Sequence, residues 1–236
     1  MKSVRFLTVV ASAAVILIAA PKARADSYSF GTLDVTIWNG TYSSGVTDSA
    51  TLANMPTINP IGTYTYTGPL DFVNDNGQLG SNTFGDFLNS NGNTNYSNDL
   101  TAVTGDSVNT LMGLIMSTSG ETGSATNTYM KITGMIDGSA GEMVSLSSDD
   151  GSSLYVNGLP VISMPGPQSQ TTSTAGVPMN DNPFTLVYVE SNGAPAVLEM
   201  SVTPEPTSLL LLGTGLLGLA LILSRKARQR TGFMVH

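Results

Sequence analysis

The sequence predicts an all-β protein, an antiparallel β-sandwich ectodomain that follows an N-terminal signal peptide and precedes one C-terminal transmembrane helix. Between residues 26 and 202, short runs of alternating apolar side chains are separated by Gly, Asn, Ser, Thr and Pro, and no long stretch has helical periodicity. The long apolar runs lie at the two ends of the chain. Many short strands with turn signals between them favour two packed antiparallel sheets.

Residues 1–25 have the three parts of a secretory signal peptide. A basic start is followed by an apolar core at residues 6–20 and by Ala23-Arg24-Ala25, a small-x-small cleavage site. We therefore predict that the mature protein begins at Asp26. The alternative is an uncleaved N-terminal membrane anchor.

We predict one β-sandwich domain over residues 26–202. Its clearest strands lie at residues 32–38, 129–136, 142–147, 154–156, 161–164, 184–190 and 197–202. Residues 108–116 fit either a short helix, with Asp106 near its N-cap, or a buried strand. Residues 89–98 and 165–183 are predicted to be long surface loops, and residues 71–77 a turn.

The chain ends in a sorting-type tail, residues 203–236, with three parts in order. The parts are Pro204-Glu205-Pro206, an uncharged run at residues 207–223 with nine Leu, and a basic end at 225–230 with Arg225, Lys226, Arg228 and Arg230. As a helix the run spans about 25 Å, the short end of what crosses a bilayer. The basic residues would hold that end in the cytoplasm. This predicts an inner-membrane anchor with the ectodomain in the periplasm.

These three parts together resemble the PEP-CTERM sorting signal of Gram-negative bacteria. The glycines Gly213, Gly215 and Gly218 fit its Leu- and Gly-rich helix. The resemblance implies that an exosortase, a membrane transpeptidase, cuts near Pro-Glu-Pro, and that the product reaches the cell surface or an extracellular biofilm matrix rich in exopolysaccharide. Residues 231–236 extend beyond the usual end of the signal. The alternative is a plain single-pass anchor.

The exported part of the chain is strongly acidic. Between residues 26 and 206 one basic residue, Lys131, stands against all seventeen acidic residues, which gives a net charge of −16, whereas the whole chain carries −8. Nucleic acids and anionic lipids need Lys and Arg to replace their counterions, so this charge excludes both as partners of the domain. Cations are the favoured partners.

The residue inventory limits the chemistry further. The chain has no Cys, and its one His is His236 in the tail. This excludes nucleophile–His mechanisms and the usual zinc and copper sites, and it leaves oxygen ligands, which suit calcium. No carboxylate pair is marked out for glycoside hydrolysis, so we predict a protein that is not an enzyme, with a glycosidase as the distant alternative. We place the aromatic residues Trp38, Tyr42, Tyr64 and Tyr66 in the core or sheets rather than on a sugar-stacking surface.

The second half of the ectodomain contains two short motifs. Residues 148–152 read Ser-Asp-Asp-Gly-Ser and are followed by Asn157-Gly158, and a second hairpin runs from Tyr188 to Gly193 and Ala194 or Ala196. In this order they resemble the protective-antigen fourteen-kilodalton domain, a β-sandwich of bacterial toxins, glycosidases and yeast adhesins. The resemblance covers about 75 residues well and implies the same fold. Residues 60–125 match little of it.

The resemblance also implies a ligand site. Sugar-binding adhesins of this fold hold calcium on two adjacent aspartates joined by a cis peptide, and the ion binds two vicinal sugar hydroxyls. The matching residues here are Asp149 and Asp150, with a third ligand from Glu190 or Asn192. Carbohydrate would then contact Asp149, Asp150 and Asn192. The alternative is a bare turn with Asx hydrogen bonds, in a structural or interaction component of the matrix without a sugar site.

Overall fold

A computed structural model of the chain describes residues 30–74, 82–88, 96–118, 125–138, 142–178, 180–203 and 206–231. The predicted signal peptide, residues 1–25, lies outside these ranges, as do Pro204 and Glu205. Within them, eleven strands form two antiparallel sheets. The described structure is therefore mostly β and confirms the two predicted antiparallel sheets, while the division of the chain into signal peptide, ectodomain and tail stays a prediction.

The described strands account for most of the domain. They are β1 (Leu33–Thr41), β2 (Gly62–Tyr66), β3 (Asp71–Asn74), β4 (Leu100–Gly105), β5 (Thr126–Gly138), β6 (Met143–Asp149), β7 (Gly151–Val156), β8 (Leu159–Met164), β9 (Thr171–Gly176), β10 (Asn180–Glu190) and β11 (Ala196–Thr203). The α-helices are α1 (Phe84–Leu88), α2 (Val108–Met112) and α3 (Pro206–Thr231). Each of the seven predicted strands overlaps an observed one, so the alternation of apolar side chains located them correctly.

The two sheets differ in size, with seven strands in one and four in the other. The larger has the order β4-β2-β1-β5-β10-β7-β8 and the smaller β3-β11-β6-β9. Strands β5 and β10 pair over eleven residues at the centre of the larger sheet. Consecutive strands β6 and β7 lie in different sheets, so the chain crosses from one sheet to the other between Asp149 and Gly151.

The main core lies between the two sheets. The larger sheet contributes side chains such as Ile132 and Leu186, and the smaller contributes Leu146 and Leu198, all fully buried. Burial of one such side chain stabilises the fold by about 1.5–3 kcal/mol. In β6 the buried Val144 and Leu146 alternate with outward-facing serines, as expected for a strand with one face on the core.

A second apolar cluster covers the outer face of the larger sheet. Trp38 and Tyr129 meet edge to face with ring centroids 5.9 Å apart, beneath residues 46–58. The Trp38 indole donates to the carbonyl of Ile58 at 3.1 Å, and the Tyr129 hydroxyl donates to the carbonyl of Thr51. Among the aromatic residues placed in the core by sequence, Trp38, Tyr64 and Tyr66 are buried, but Tyr42 is 48% exposed.

Two local predictions need correction, and the structure decides between the alternatives for a third segment. The predicted loop at 165–183 contains β9 and the start of β10, because its β-branched threonines form an edge strand against β6 although its side chains are polar. The predicted turn at 71–77 begins as strand β3, which buries Phe72 and Asn74. Residues 108–112 form the helix rather than the strand, and Ser107, not Asp106, caps it by accepting a bond from the Thr110 amide at 3.2 Å.

The tail forms a helix that covers the predicted span. Helix α3 runs over 26 residues from Pro206, so residues 207–223 are helical as expected. Its described leucines are exposed, for example Leu216 at 59% and Leu221 at 59%. Across the described ranges, however, no helix combines the length and apolar character that a membrane crossing requires. The sequence prediction at 207–223 is thus confirmed as a helix only.

Two carboxyl groups face each other on the outer side of the smaller sheet. Glu199 of β11 lies directly opposite Asp71 of β3, and the two side chains share a hydrogen bond. The other side chains that line the 280 Å³ cavity here are not titratable, and four of them are hydroxyls, those of Ser145, Ser147, Thr172 and Ser201. Burial, and then the charge of Asp71, raises the pKa of Glu199. Two carboxyls this close favour holding one proton between them.

We expect Glu199→Gln to remove a pH-dependent loss of stability. The pKa of Glu199 is raised in the folded state, so the protonated side chain contributes to the stability of the fold. This contribution is fully present below the ordinary glutamate pKa of about 4.3 and is lost as pH rises through the raised value. Melting temperatures of variant and wild type should therefore diverge in favour of the variant between pH 4 and pH 8. Parallel melting curves across that range would contradict the shared proton.

Candidate cation and ligand site

The Asp149–Asp150 dipeptide forms the crossing between the two sheets. The peptide bond that joins the two residues is cis. Ser148 donates its hydroxyl to the carbonyl of Asp150 at 3.1 Å and lies 2.7 Å from the hydroxyl of Ser152. Both aspartates line one surface cavity of about 350 Å³. The structure thus brings together the two carboxylates that the sequence resemblance selected.

The turn packs tightly against the segment that follows β8. A Cβ atom on Gly151 would lie 2.4 Å from the carbonyl oxygen of Pro165, which is closer than real Cβ contacts come. The carbonyl of Pro165 also accepts the amide of Ala50 at 2.8 Å. Gly151 is therefore required by close backbone approach, and the segment beginning at Pro165 lies over the two aspartates.

Backbone and side-chain donors fix both carboxylates. Oδ2 of Asp149 accepts the amide of Gln170 at 3.0 Å. Oδ2 of Asp150 accepts the amide of Ser191 at 2.8 Å and the Ser191 hydroxyl at 3.0 Å. The amides come from two different segments, the β8–β9 connection and the end of β10. Both segments therefore converge on this turn.

Both aspartates are nearly buried, with 9% and 5% of their surface exposed. Burial raises the pKa of Asp149 against the opposing effect of the Gln170 amide. Burial also raises the pKa of Asp150 to about 6, and the neighbouring Asp149 charge adds to the rise although Ser191 opposes it. A buried pair of this kind favours a bound proton or a cation.

The hairpin between β10 and β11 forms the other wall of the cavity. Asn192 and Gly193 both adopt positive φ, +67° and +90°, and the Ala194–Pro195 bond is cis. These residues line the cavity opposite Gln168. Of the two alternatives for a third ligand, Asn192 therefore lies beside the aspartates at the cavity.

Glu190, the other alternative, is fully buried and does not line the cavity. Its Oε1 accepts the Asn82 side-chain amide at 2.8 Å and the Ser117 hydroxyl at 2.9 Å, and its Oε2 lies 2.8 Å from the Tyr188 hydroxyl. That hydroxyl also lies 2.6 Å from the carbonyl oxygen of Asp149. Glu190 therefore belongs to an interior network behind the cavity.

The Tyr188 hydroxyl lies between Glu190 and the Asp149 carbonyl. The Tyr188 hydroxyl has one proton, and the Asp149 carbonyl can only accept. Tyr188 therefore donates its proton either to this carbonyl or to Oε2 of Glu190. Burial, followed by the charge of Asp150, raises the pKa of Glu190 well above its ordinary value, although the hydrogen bonds donated to its carboxylate oppose the rise.

Sequence reasoning missed five residues of this site. Gln168, Gln170 and Ser191 contact the aspartates, and Asn82 and Ser117 support Glu190 from a distant part of the chain. Ser191 could have been found because it stands between the two proposed ligands. The others lie in a predicted loop and in the unmatched region 60–125, where no motif marks a role.

The oxygen donors at the cavity match the preferences of calcium. Asp149 and Asp150 offer carboxylates, and Asn192 offers an amide oxygen. Ca²⁺ prefers such hard oxygen ligands and binds six to eight of them. In the described part of the chain, no group of three or more Asp, Glu, His or Cys side chains could hold a metal. A calcium ion here would need carbonyls, water or ligand hydroxyls to complete its shell.

Comparison with solved structures gives distant neighbours. A PA14 sugar-binding domain from an RTX adhesin is 18% identical with a TM-score of 0.48, over 73% of this chain and 89% of that one. The PA14 domain of the MpAFP antifreeze protein is 15% identical with a TM-score of 0.47, over 80% and 89%. A β-glucosidase from Kluyveromyces marxianus is 10% identical with a TM-score of 0.36, over 72% of this chain and 17% of its own.

The first two neighbours are PA14 domains, the family that the sequence resembles. No curated protein matches the sequence. The tail gives a direct match: residues 202–226 fit the PEP-CTERM protein-sorting motif, which contains the Pro204-Glu205-Pro206 segment and reaches Lys226. The chain therefore carries a PEP-CTERM protein-sorting motif at its C-terminal end.

Proposed function

We propose that this protein is a non-catalytic surface or matrix protein that binds carbohydrate through calcium held at Asp149 and Asp150. The observation that carries the proposal is the convergence of these two adjacent, nearly buried carboxylates on one open cavity beside Asn192. A cation would offset the cost of burying these charges, because burial and then the Asp149 charge raise the pKa of Asp150. The −16 charge of the exported segment favours the same cation.

The oxygen atoms at the cavity suggest which residues would bind calcium and which would bind the sugar. Asp149, Asp150 and the amide oxygen of Asn192 would hold the calcium ion, whose open positions would accept two neighbouring sugar hydroxyls. The cavity, of about 350 Å³, is where we expect the sugar residue to bind. Gln168 and Ser169 line the rim and offer an amide and a hydroxyl to further sugar oxygens.

The tail supports the cellular part of the proposal. We propose that the chain is exported by its signal peptide and held at the inner membrane by the tail with the ectodomain in the periplasm. An exosortase-type enzyme then cuts near Pro204-Glu205-Pro206. The ectodomain would pass to the cell surface or the extracellular matrix, where the acidic exported segment would meet exopolysaccharide and calcium. The match at residues 202–226 supports the exosortase step.

Binding to immobilised glycans tests the sugar site. We expect the wild-type protein to bind a subset of a glycan array in 5 mM calcium and to lose that binding when EDTA replaces calcium. Calcium must bridge the carboxylates and the sugar, so the two conditions should differ by at least tenfold in signal. Binding that is equal with and without EDTA would contradict the calcium bridge.

Processing in a bacterium that has an exosortase tests the tail. Pro204→Ala/Glu205→Ala/Pro206→Ala should leave the full-length chain in the membrane fraction, while the wild type yields a shorter released form. Ser208→Ala, two residues beyond Pro206 and outside the Pro-Glu-Pro segment, is the matched control and should be processed normally. Equal processing of the triple variant would remove the basis for the exosortase assignment.

A structural component of the matrix without a sugar site is the second candidate. The favouring observation is that protein donors already satisfy both aspartates, Asp149 through Gln170 and Asp150 through Ser191. The turn is then complete without an ion. In this case neither calcium nor glycans bind, and the acidic surface alone interacts with other matrix components.

A further inference from the structure

We propose that Ser117 is a positioning residue that fixes the ligand hairpin at residues 191–195. The hydroxyl of Ser117 accepts the backbone amide of Gly193 at 2.9 Å, directly beside Asn192. The consequence for ligand binding rests on the proposed function, whereas the positioning of the hairpin does not. Ser117 lies in the region to which the sequence assigned no role.

The Ser117 hydroxyl lies at the centre of a complete set of hydrogen bonds. It accepts the Asn82 side-chain amide at 2.7 Å as well as the Gly193 amide, and it donates to Oε1 of Glu190 at 2.9 Å. The second proton of the Asn82 amide goes to the same Oε1 at 2.8 Å. Ser117 is 3% exposed and Asn82 is 4% exposed, so the Ser117 hydroxyl and the Asn82 side-chain amide depend on protein partners rather than on bulk water for their hydrogen bonds.

The segments that contain Asn82 and Ser117 are joined to each other and to the larger sheet. The amide of Met116 donates to the carbonyl of Asn82 at 2.8 Å, and Thr83 bridges Ile115, so the two supporting segments are joined to each other. The hydroxyl of Thr128 in β5 donates to the carbonyl of Met116 at 2.6 Å. The Ser117 hydroxyl is therefore fixed relative to the larger sheet.

The hairpin is thus held on both sides of Asn192. Before it, Ser191 binds the carboxylate of Asp150 through its amide and hydroxyl. After it, Gly193 binds Ser117. Asn192 itself has φ +67°, a left-handed conformation that Asn adopts more readily than other non-glycine residues. Fixing both neighbours keeps the Asn192 side chain at the cavity next to the aspartates.

Ser117→Ala tests the inference, with Ser153→Ala as the matched control. Ser153 is also a fully buried serine, and its hydroxyl has no hydrogen-bond partner among the described residues. We expect the Gly193 amide of the Ser117 variant to exchange with deuterium about three- to tenfold faster, because one buried hydrogen bond is lost. Calcium affinity measured by titration calorimetry should fall by a similar factor. The control should leave both unchanged.

Each result has one meaning. Unchanged Gly193 exchange in a folded Ser117→Ala protein overturns the inference, and so does faster exchange with undiminished calcium affinity. If the wild type itself binds no calcium, the proposed function fails, and Gly193 exchange alone decides whether Ser117 positions the hairpin. If Ser117→Ala does not fold, Asn82→Ala removes one support of the same hydroxyl, and it must speed Gly193 exchange for the inference to stand.

Discussion

Replacing Asp149 and Asp150 with asparagine is expected to abolish the calcium-dependent rise in melting temperature. Calcium at one hundred times its Kd stabilises the protein that binds it by about 2.7 kcal/mol. For a domain of this size, that corresponds to about 5–10 °C. Asparagine keeps the shape of each side chain but removes both charges that hold the ion. Differential scanning fluorimetry with and without 10 mM calcium measures the shift.

The control for this variant must remove the same charge elsewhere. Asp137 and Asp181 are exposed and lie opposite each other on β5 and β10. The Asp137→Asn/Asp181→Asn protein should keep the full calcium shift. A wild-type protein without any shift at 10 mM calcium would leave the bare turn as the correct account of Asp149 and Asp150.

The calcium shift should also depend on pH. Because the pKa of Asp150 in the metal-free protein is about 6, calcium must displace a proton at lower pH, and its apparent affinity falls by up to about tenfold per pH unit. Without calcium, the stability of the protein depends on pH in the opposite direction and falls as pH rises. The raised pKa then contributes stability that is fully present below the ordinary value of 3.8 and is lost as pH rises through about 6.

Gly151→Ala is expected to cause the second large effect, a loss of about 1–3 kcal/mol or more in the free energy of unfolding. The new methyl group would lie 2.4 Å from the Pro165 carbonyl oxygen and 2.9 Å from its carbon. These are backbone atoms and cannot turn away as a flexible side chain would. The segment after β8 must move, which also displaces Gln170 from Asp149.

Urea unfolding of Gly151→Ala and Gly166→Ala measures this effect with a close control. Gly166 lies next to Pro165, but a Cβ atom there would meet nothing within 4 Å. Its replacement should change the free energy of unfolding by no more than about 0.5 kcal/mol. Equal stability of the two variants would show that the contact at Gly151 relaxes freely.

Much of the fold could be predicted from local pattern. Strands such as β10 and β11 bury nearly every apolar side chain that alternation marked, so their position is a local property. The hairpin at Asn157-Gly158 was also readable, because both residues adopt the positive φ that this dipeptide favours. Strand β9 was missed because its threonines gain from pairing with β6, not from an apolar face.

Some residues of the candidate site could likewise be predicted from the sequence, and others could not. Asp149 and Asp150 could be selected, with Glu190 or Asn192 as the third ligand, because the two short motifs that contain them resemble those of a known family. Asn82 and Ser117 could not, since they meet Glu190 across 108 and 73 positions of the chain. Only the pairing of strands brings such residues together, and a single sequence has no local signal for it.

The crossing of the chain between β6 and β7 determines how the domain would carry tension. A pull on the tail enters β11 at Thr203, whereas a pull through the proposed ligand would enter β6 at Asp149, at the opposite end of the same strand pair. The two strands are antiparallel and share seven residue pairs, from Val197 with Asp149 to Thr203 with Met143. Such forces shear the pair along its length, so its hydrogen bonds resist together instead of opening one after another.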